Sequence, residues 1–241
     1  MFVADWNNAL FIHFQIDPAI LKPVIPFELD LWQGQAFVSL VAFTQAHLRP
    51  TVGGKIFELL SRPLATHEFL NLRAYVHVDG ESGIYFIAEW IPNWLATLIG
   101  PRMYGLPYRL GDLNYQHANP HDLQGQVIAA NRNFSYHAAI ESTEYQSALP
   151  NTLDHFLLER YVGFTHRKEV SRRFRIAHEP WLQARTNVVI DCAELFSSFN
   201  WMPSARMISA NYSPGVNGVQ IGRPERIYSI DQRLAIQSSV K

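Results

Sequence analysis

The chain reads as a mainly-β α+β fold: a closed or nearly closed antiparallel β-barrel or cone with a few short peripheral helices. Three observations predict it. Short β-rich runs bounded by Gly, Pro, Asn and Asp recur along the chain, and helical signals are confined to a few short stretches. No Gly/Ser/Pro tract, low-complexity block or internal repeat divides the 241 residues, so residues 1–241 are read as one domain.

The elements follow in order. Leu10 to Gln15 reads as a strand. Asp17 then caps a short helix whose first position is Pro18, and Pro23 and Pro26 stop it. Ala36 to Thr44 is β-rich and nearly all apolar, as expected of a strand buried on both faces. Residues 49–67 carry Pro50, Gly53, Gly54 and Pro63 and read as a loop. In the next strand Leu70, Leu72, Ala74, Val76 and Val78 share one face, and Asn71, Arg73, Tyr75 and His77 the other. Asp79-Gly80 turns the chain, and Ile84 to Trp90 returns as a hairpin arm.

Asn93 to Met103 looks helical. Residues 126–145 supply a strand pair, and Thr152 caps a second helix in which Leu153, Phe156 and Leu157 follow helical spacing. Tyr161–Thr165, Arg172–His178 and Asn187–Cys192 read as strands, and Leu195–Phe199 as a helical turn. The tail from about residue 203 is rich in Gly, Pro, Ser and Asn and is expected to be irregular.

Composition excludes several function classes. Net charge is −1, so no basic excess exists to neutralise phosphates, and nucleic acid is not an expected partner. The positive run Arg167, Lys168, Arg172, Arg173, Arg175 reads as a solvated strand edge. No apolar run approaches bilayer length and no signal-peptide pattern opens the chain, so no membrane association is expected. One cysteine, Cys192, cannot form an intrachain disulfide; a reducing, cytoplasmic location is expected. Dinucleotide, P-loop and nucleophile-elbow motifs are absent. The ten histidines form no metal-binding spacing, so neither a metal nor another cofactor is expected.

Three stretches carry a resemblance. They are Trp6 to Phe43, with Phe11-Ile-His-Phe14 and Asp17-Pro-Ala-Ile-Leu-Lys-Pro-Val-Ile-Pro26; Glu68-Phe-Leu-Asn-Leu-Arg-Ala-Tyr-Val76, running through Gly83 to Tyr104-Gly-Leu-Pro-Tyr-Arg-Leu110; and Leu153 to Tyr161, followed by His178-Glu-Pro-Trp181. By their order and spacing the chain resembles the YqjF-like family of the acetoacetate decarboxylase-like superfamily. The resemblance implies an antiparallel barrel or cone with a ligand cavity inside, and a homo-oligomer, because members often assemble.

It also implies where a site would be. In the decarboxylase a proline precedes two lysines: the first forms a Schiff base with the substrate, and the second lowers its pKa. Here Tyr108 stands at the first position and Arg109 at the second, after Pro107. A phenol forms no imine, and an arginine stays protonated. Glu68 lines up with a site glutamate, while Asn7 stands where the decarboxylase has an arginine. Glu68, Tyr108 and Arg109 are therefore the candidate catalytic residues. Asn71, Arg73, Tyr85 and Tyr104 are the candidate ligand-binding residues. The face of Asn71 and Arg73 points either into the barrel or to solvent, and a bulge would be needed to bring Glu68 to the same pocket. The expected partner is a small organic molecule, such as a carboxylate. The rival is acid–base chemistry of a lyase or hydratase type on a small organic acid. A solidly filled barrel would favour a structural module instead.

Overall fold

The computed structural model describes residues 1–51 and 65–228. The expected loop at 49–67 lies mostly outside them. Strand β1 (Phe2–Ile16) starts earlier than its apolar alternation suggests. Its register against its neighbour shifts between Asn7 and Leu10, and Asn8 has φ 53°, so the regular pattern begins only at Leu10. Helix α1 (Pro18–Leu21) is capped as expected: the Asp17 carboxylate accepts the Ala19 N–H at 2.8 Å.

The remaining strands are β2 (Glu28–Leu29), β3 (Ala36–Pro50), β4 (His67–Val78), β5 (Glu81–Ile91), β6 (Tyr108–Leu110), β7 (Asp112–Gln116) and β8 (Leu123–Ala129). They continue with β9 (Arg132–Ile140), β10 (Gln146–Ser147), β11 (Val162–Arg167), β12 (Val170–Ala177), β13 (Leu182–Ala193), β14 (Arg206–Ile221) and β15 (Glu225–Ile227). Helices α2 (Trp94–Met103) and α3 (Leu153–Leu158) sit outside the sheet. Asn93 caps α2 and Thr152 caps α3 by side-chain acceptance of backbone N–H groups.

Seven strands close on one another through hydrogen-bonded pairs, in the order β1, β14, β12, β11, β5, β4, β3 and back to β1. One contact in this ring, β11 with β5, is parallel; the others are antiparallel. The second layer is β13, β9, β8 and β7, continuing from β14. The shared wall of β1, β3 and β4 is therefore buried on both faces. Leu10, Ile12, Leu40, Leu70 and Leu72 pack toward the second layer. Phe11, Val41, Phe43, Phe69 and Tyr75 pack into the ring. This is the double burial that the unbroken apolar run of β3 predicts.

One expectation fails. The tail is not irregular from residue 203: β14 is a 16-residue strand that runs against β1 from Phe2 opposite Ile221 to Gln15 opposite Arg206. Its Gly, Pro and Asn residues lie within a strand rather than at the end of one, and Gly215 marks a close backbone approach. Gly215 has φ 124°, and a Cβ there would lie 2.2 Å from the Trp6 carbonyl oxygen. Both the conformation and the space require glycine. Gly215→Ala is expected to cost about 2–4 kcal/mol, as a strained backbone position with a clash against rigid main chain does. Urea unfolding of the two proteins checks it; a loss under about 0.5 kcal/mol would contradict the strain reading.

Candidate active site in the strand ring

A cavity of about 170 Å³ lies inside the seven-stranded ring, walled mainly by apolar and aromatic side chains. Strand β4 supplies His67, Phe69, Asn71 and Arg73 along one face. The alternation thus resolves inward: Asn71 and Arg73 face the cavity, and both are buried. Phe11 and Val41 stand beside Asn71 in the β1–β3–β4 register, and Glu89 and Tyr108 stand beside it in the β4–β5–β6 register. All five line the cavity.

Glu89 arrives there because of a bulge. Leu72 pairs with Ala88, but Arg73 pairs with Phe86, so Ile87 is an extra residue in β5. Ile84 and Phe86 point into the ring before it, and Glu89 points in after it. Tyr85 consequently faces the other side, edge-on to Phe27 at 5.5 Å, and is not a cavity residue. Glu68 keeps the parity of Leu70 and Leu72, with no bulge between, and also lies off the cavity wall. Arg109 alternates with Tyr108 on β6; its guanidinium lies 5.3 Å from the Trp90 and Phe199 ring centres on the opposite face. Of the sequence candidates, Asn71, Arg73, Tyr104 and Tyr108 converge on the cavity, and Glu68, Tyr85 and Arg109 do not. Asn7 is also off the wall, where its neighbour Trp6 takes part instead.

The polar groups in the cavity are poorly matched by the protein itself. Arg73 is 7% exposed, and no carboxylate among the described residues lies within ion-pair distance of it. Its Nη2 donates to the Leu157 carbonyl at 3.1 Å, which ties it to the end of α3, while its Nε has no partner. The second cavity arginine, Arg160, is satisfied: it pairs with Asp30 at 2.7 Å and donates to the Phe156 carbonyl at 2.7 Å.

Glu89 is 4% exposed, its Oε2 has no partner, and burial pushes its carboxyl up to about 8. Asn71 Oδ1, Trp6 Nε1 and both ring nitrogens of His67 are likewise buried without partners. Burial holds the His67 imidazole down at about 4, so it is neutral near pH 7. Tyr104 donates to the Gly222 carbonyl at 2.8 Å, and burial pushes its phenol up to about 12. Tyr108 is held well above its usual range, first by burial and then by Glu89 and Tyr104. Its ring packs on Gly100, where a Cβ would lie 2.2 Å from it. It is a neutral phenol filling part of the wall.

Arg73 rests on a further buried chain. His13 Nδ1 and Ser39 Oγ are 2.7 Å apart, Ser39 Oγ and the Tyr75 hydroxyl 2.6 Å, and Tyr75 donates to Leu157 O at 2.9 Å. The guanidinium lies 5.5 Å from the Phe11 ring centre and 5.9 Å from that of Tyr75. Its position is fixed by packing as well as by the bond to α3.

Sequence reasoning missed Glu89, His67, Trp6 and Arg160 as cavity residues. Trp181 also lines the cavity and stacks on Trp6 with ring centres 6.2 Å apart. The visible signal for Glu89 was an acidic residue inside an apolar strand. Among the described residues no lysine lines the cavity and no group of side chains is set to hold a metal ion. No helix is long and apolar enough to cross a membrane.

Comparisons with known proteins agree with this architecture. An acetoacetate decarboxylase-like enzyme from Sphingomonas wittichii RW1 matches with a TM-score of 0.66 at 14% identity, over 95% of this chain and 94% of that one. The enduracididine biosynthesis enzyme MppR in complex with pyruvate matches at 0.65 and 10% identity, over 94% and 90%. Acetoacetate decarboxylase from Legionella pneumophila matches at 0.63 and 10% identity, over 95% and 88%. At such identities the likeness establishes the fold, which is acetoacetate decarboxylase-like. In sequence, YqjF of Bacillus subtilis (strain 168), an uncharacterized protein, is 31% identical over 180 residues, covering 73% of this chain and 72% of that one. Residues 3–217 match the model of DUF2071, described as an uncharacterized conserved protein, and the chain belongs to that family.

Proposed function

We propose that this protein binds a small organic acid inside the strand ring, with the acid's carboxylate on Arg73, and that it does so without Schiff-base chemistry. The observation that carries the reading is Arg73: a guanidinium buried in an apolar cavity with no counter-ion among the described residues. An unpaired buried charge is costly, and a ligand carboxylate offsets that cost while gaining charge-assisted hydrogen bonds. MppR, a structural neighbour, is described in complex with pyruvate, a small carboxylate. Tyr108 in place of the nucleophile supports the second half of the statement. The lone Cys192 suits a reducing compartment, and we place this function in the cytoplasm.

Paired ligands test the first half. Each small acid is titrated calorimetrically beside its neutral amide at pH 7. Acids are expected to bind about 10- to 100-fold more tightly, the value of a charge-assisted pair. Equal affinity for acid and amide would remove Arg73 as the anchor. The second half is tested by borohydride trapping. Incubation with pyruvate and borohydride is expected to leave the protein mass unchanged; a reduced adduct on a lysine would overturn it.

A second reading is favoured by Glu89. A carboxyl held near 8 is mostly protonated at pH 7 and still close enough to titration to act as a general acid or base. In an acid–base enzyme of the lyase or hydratase type, Glu89 takes the role first considered for Glu68. Arg73, not Arg109, would then hold the substrate carboxylate, with Tyr108 as a neutral hydrogen-bond donor. Turnover of a bound acid that disappears in Glu89→Gln, with ligand affinity kept, would establish this reading.

A further inference from the structure

The unmatched polar atoms of the cavity specify what a ligand must offer. Arg73 Nε and Trp6 Nε1 carry N–H groups with no partner, so each calls for an acceptor. Asn71 Oδ1 is an acceptor with no partner, so it calls for a donor. An ionised carboxylate provides acceptors only. Bound to Arg73, it would leave Asn71 Oδ1 buried and unmatched, which costs about as much as a hydrogen bond gains. A ligand that satisfies both Arg73 and Asn71 therefore has two polar ends: an anionic acceptor and a separate donor. Glu89, the register partner of Asn71, and Tyr108, the register partner of Glu89, lie beside the donor's position.

Around these groups the wall is aromatic: Phe69 and Phe43 lie beyond Asn71 along β4 and β3, and Phe86 lies beside Arg73. Phe43 and Phe69 are stacked, with centres 5.1 Å apart and planes at 9°. Phe86 and Phe174 are parallel at 6.1 Å and 4°. Phe11 and Trp181 meet edge-on at 5.1 Å. Rings set face and edge toward one space favour a flat ring by offset stacking and edge contacts, beyond simple burial of area. Size agrees. A cavity of roughly 150 Å³ accepts a benzene ring, and the 170 Å³ here leaves room for little more than a short acid arm and a small substituent.

We infer that the ligand class is a single-ring aromatic carboxylic acid bearing a hydroxyl group, its carboxylate on Arg73, its ring among Phe11, Phe43, Phe69 and Phe86, and its hydroxyl donating to Asn71 beside Glu89. This rests on the acid-binding reading above and narrows it. The hydroxyl is what separates this class from a plain aliphatic keto acid, and the ring is what separates it from a hydroxy acid of open chain.

Calorimetric titration of the full chain at pH 7 tests it with a matched series. The series is pyruvate, cyclohexylacetate, phenylacetate, the three ring-hydroxylated phenylacetates, and the amide of the best of them. The best hydroxylated acid is expected to bind about tenfold or more tightly than phenylacetate, as one well-placed hydrogen bond allows. Phenylacetate is expected to exceed cyclohexylacetate and pyruvate. In Asn71→Leu the ratio between hydroxylated and plain phenylacetate is expected to fall to about one, a readout that general loosening of the cavity would not produce. If pyruvate or cyclohexylacetate binds as well as every aryl acid, the aromatic class is wrong while acid binding stands. If the hydroxylated and plain acids bind equally in the wild type, the donor assignment is wrong. If the amide equals the acid, or nothing in the series binds, the acid-binding reading falls with it.

Discussion

Acidification from about pH 6.5 to about pH 4.5 will cost this protein about 5 kcal/mol of stability, enough to bring a domain at the low end of the usual range to its unfolding midpoint. Three buried histidines cause it. Burial pulls His13 down to about 3, and His67 and His117 to about 4. His117 shows why protonation is incompatible with the fold. Its Nδ1 lies 2.9 Å from the Asn8 carbonyl, which can only accept, so its Nε2 must accept from the Tyr136 hydroxyl at 2.8 Å. A second ring proton would break that bond in the core.

An unfolded histidine titrates near 6.5. Between pH 6.5 and the folded values, the unfolded chain therefore holds three more protons than the folded one. Stability is present above 6.5 and is lost as pH falls, by about 1.4 kcal/mol per unit for each group. Glu89 acts in the opposite sense. Its folded pKa of about 8 lies above the ordinary glutamate value of 4.5, so the folded state holds the extra proton between them, and stability falls as pH rises through that window. The net acid slope is then about 3 kcal/mol per unit, against a typical domain stability of about 5–15 kcal/mol. Maximum stability is expected near pH 6.5. Urea unfolding at half-unit steps from pH 4.5 to 9 measures the whole curve. Glu89→Gln should flatten the limb between 6.5 and 8 and steepen the acid limb from about 3 to about 4 kcal/mol per unit, because the opposing proton is gone; a stability that does not change between pH 5 and 8 would contradict the burial of these groups as ionisable side chains.

Arg73→Met will abolish the preference for acids over amides. The expected loss for the acid is about 30- to 100-fold, the range of a buried charge-assisted pair, with the amide affected by less than about threefold. Folding should survive. The variant gives up the bond from Nη2 to Leu157 O, roughly 1 kcal/mol, but it also removes a buried cation with no counter-ion among the described residues. Tyr75 still holds the same carbonyl at 2.9 Å, so the end of α3 keeps one of its two anchors. The thermal midpoint is therefore expected within a few degrees of wild type. Arg73→Lys keeps the charge but not the planar fork, and should fall between the two proteins. An Arg73→Met protein that folds and still discriminates acid from amide would move the anchor elsewhere, with Arg160 the next cation in the wall.

Much of the fold is legible in the sequence, and each miss has a local cause. The Asp17-Pro18 and Thr152 caps, the β4 alternation and the two-sided burial of β3 depend on neighbours close in sequence, so residue type and period reveal them. The inward direction of Asn71 and Arg73 depends on ring closure, which no single strand encodes. Alternation alone would put Glu89 and Tyr85 on one face, and they lie on opposite faces because Ile87 is one residue too many for its partner strand. The strand continues to look regular when read alone, since the extra residue exists only relative to β4. Glu68 and Arg109 follow strict alternation, and alternation sends both away from the cavity; only the family resemblance had placed them in it. In β14, Pro214, Gly215 and Gly218 look like chain-end composition, but all three lie inside a long strand, and at Gly215 it passes close over β1. Tyr108 is the position where resemblance and geometry agree: it stands at the cavity wall, where it cannot act as an amine.

One measurement bears most directly on the central claim that the ring holds an organic acid on Arg73. It is a crystal structure of the protein with the tightest-binding acid of the paired series. The carboxylate is expected within about 3 Å of the Arg73 guanidinium, with the rest of the molecule inside the ring between Phe11, Asn71 and Glu89. An acid found on the outer surface, or inside the ring with its carboxylate turned away from Arg73, would contradict it.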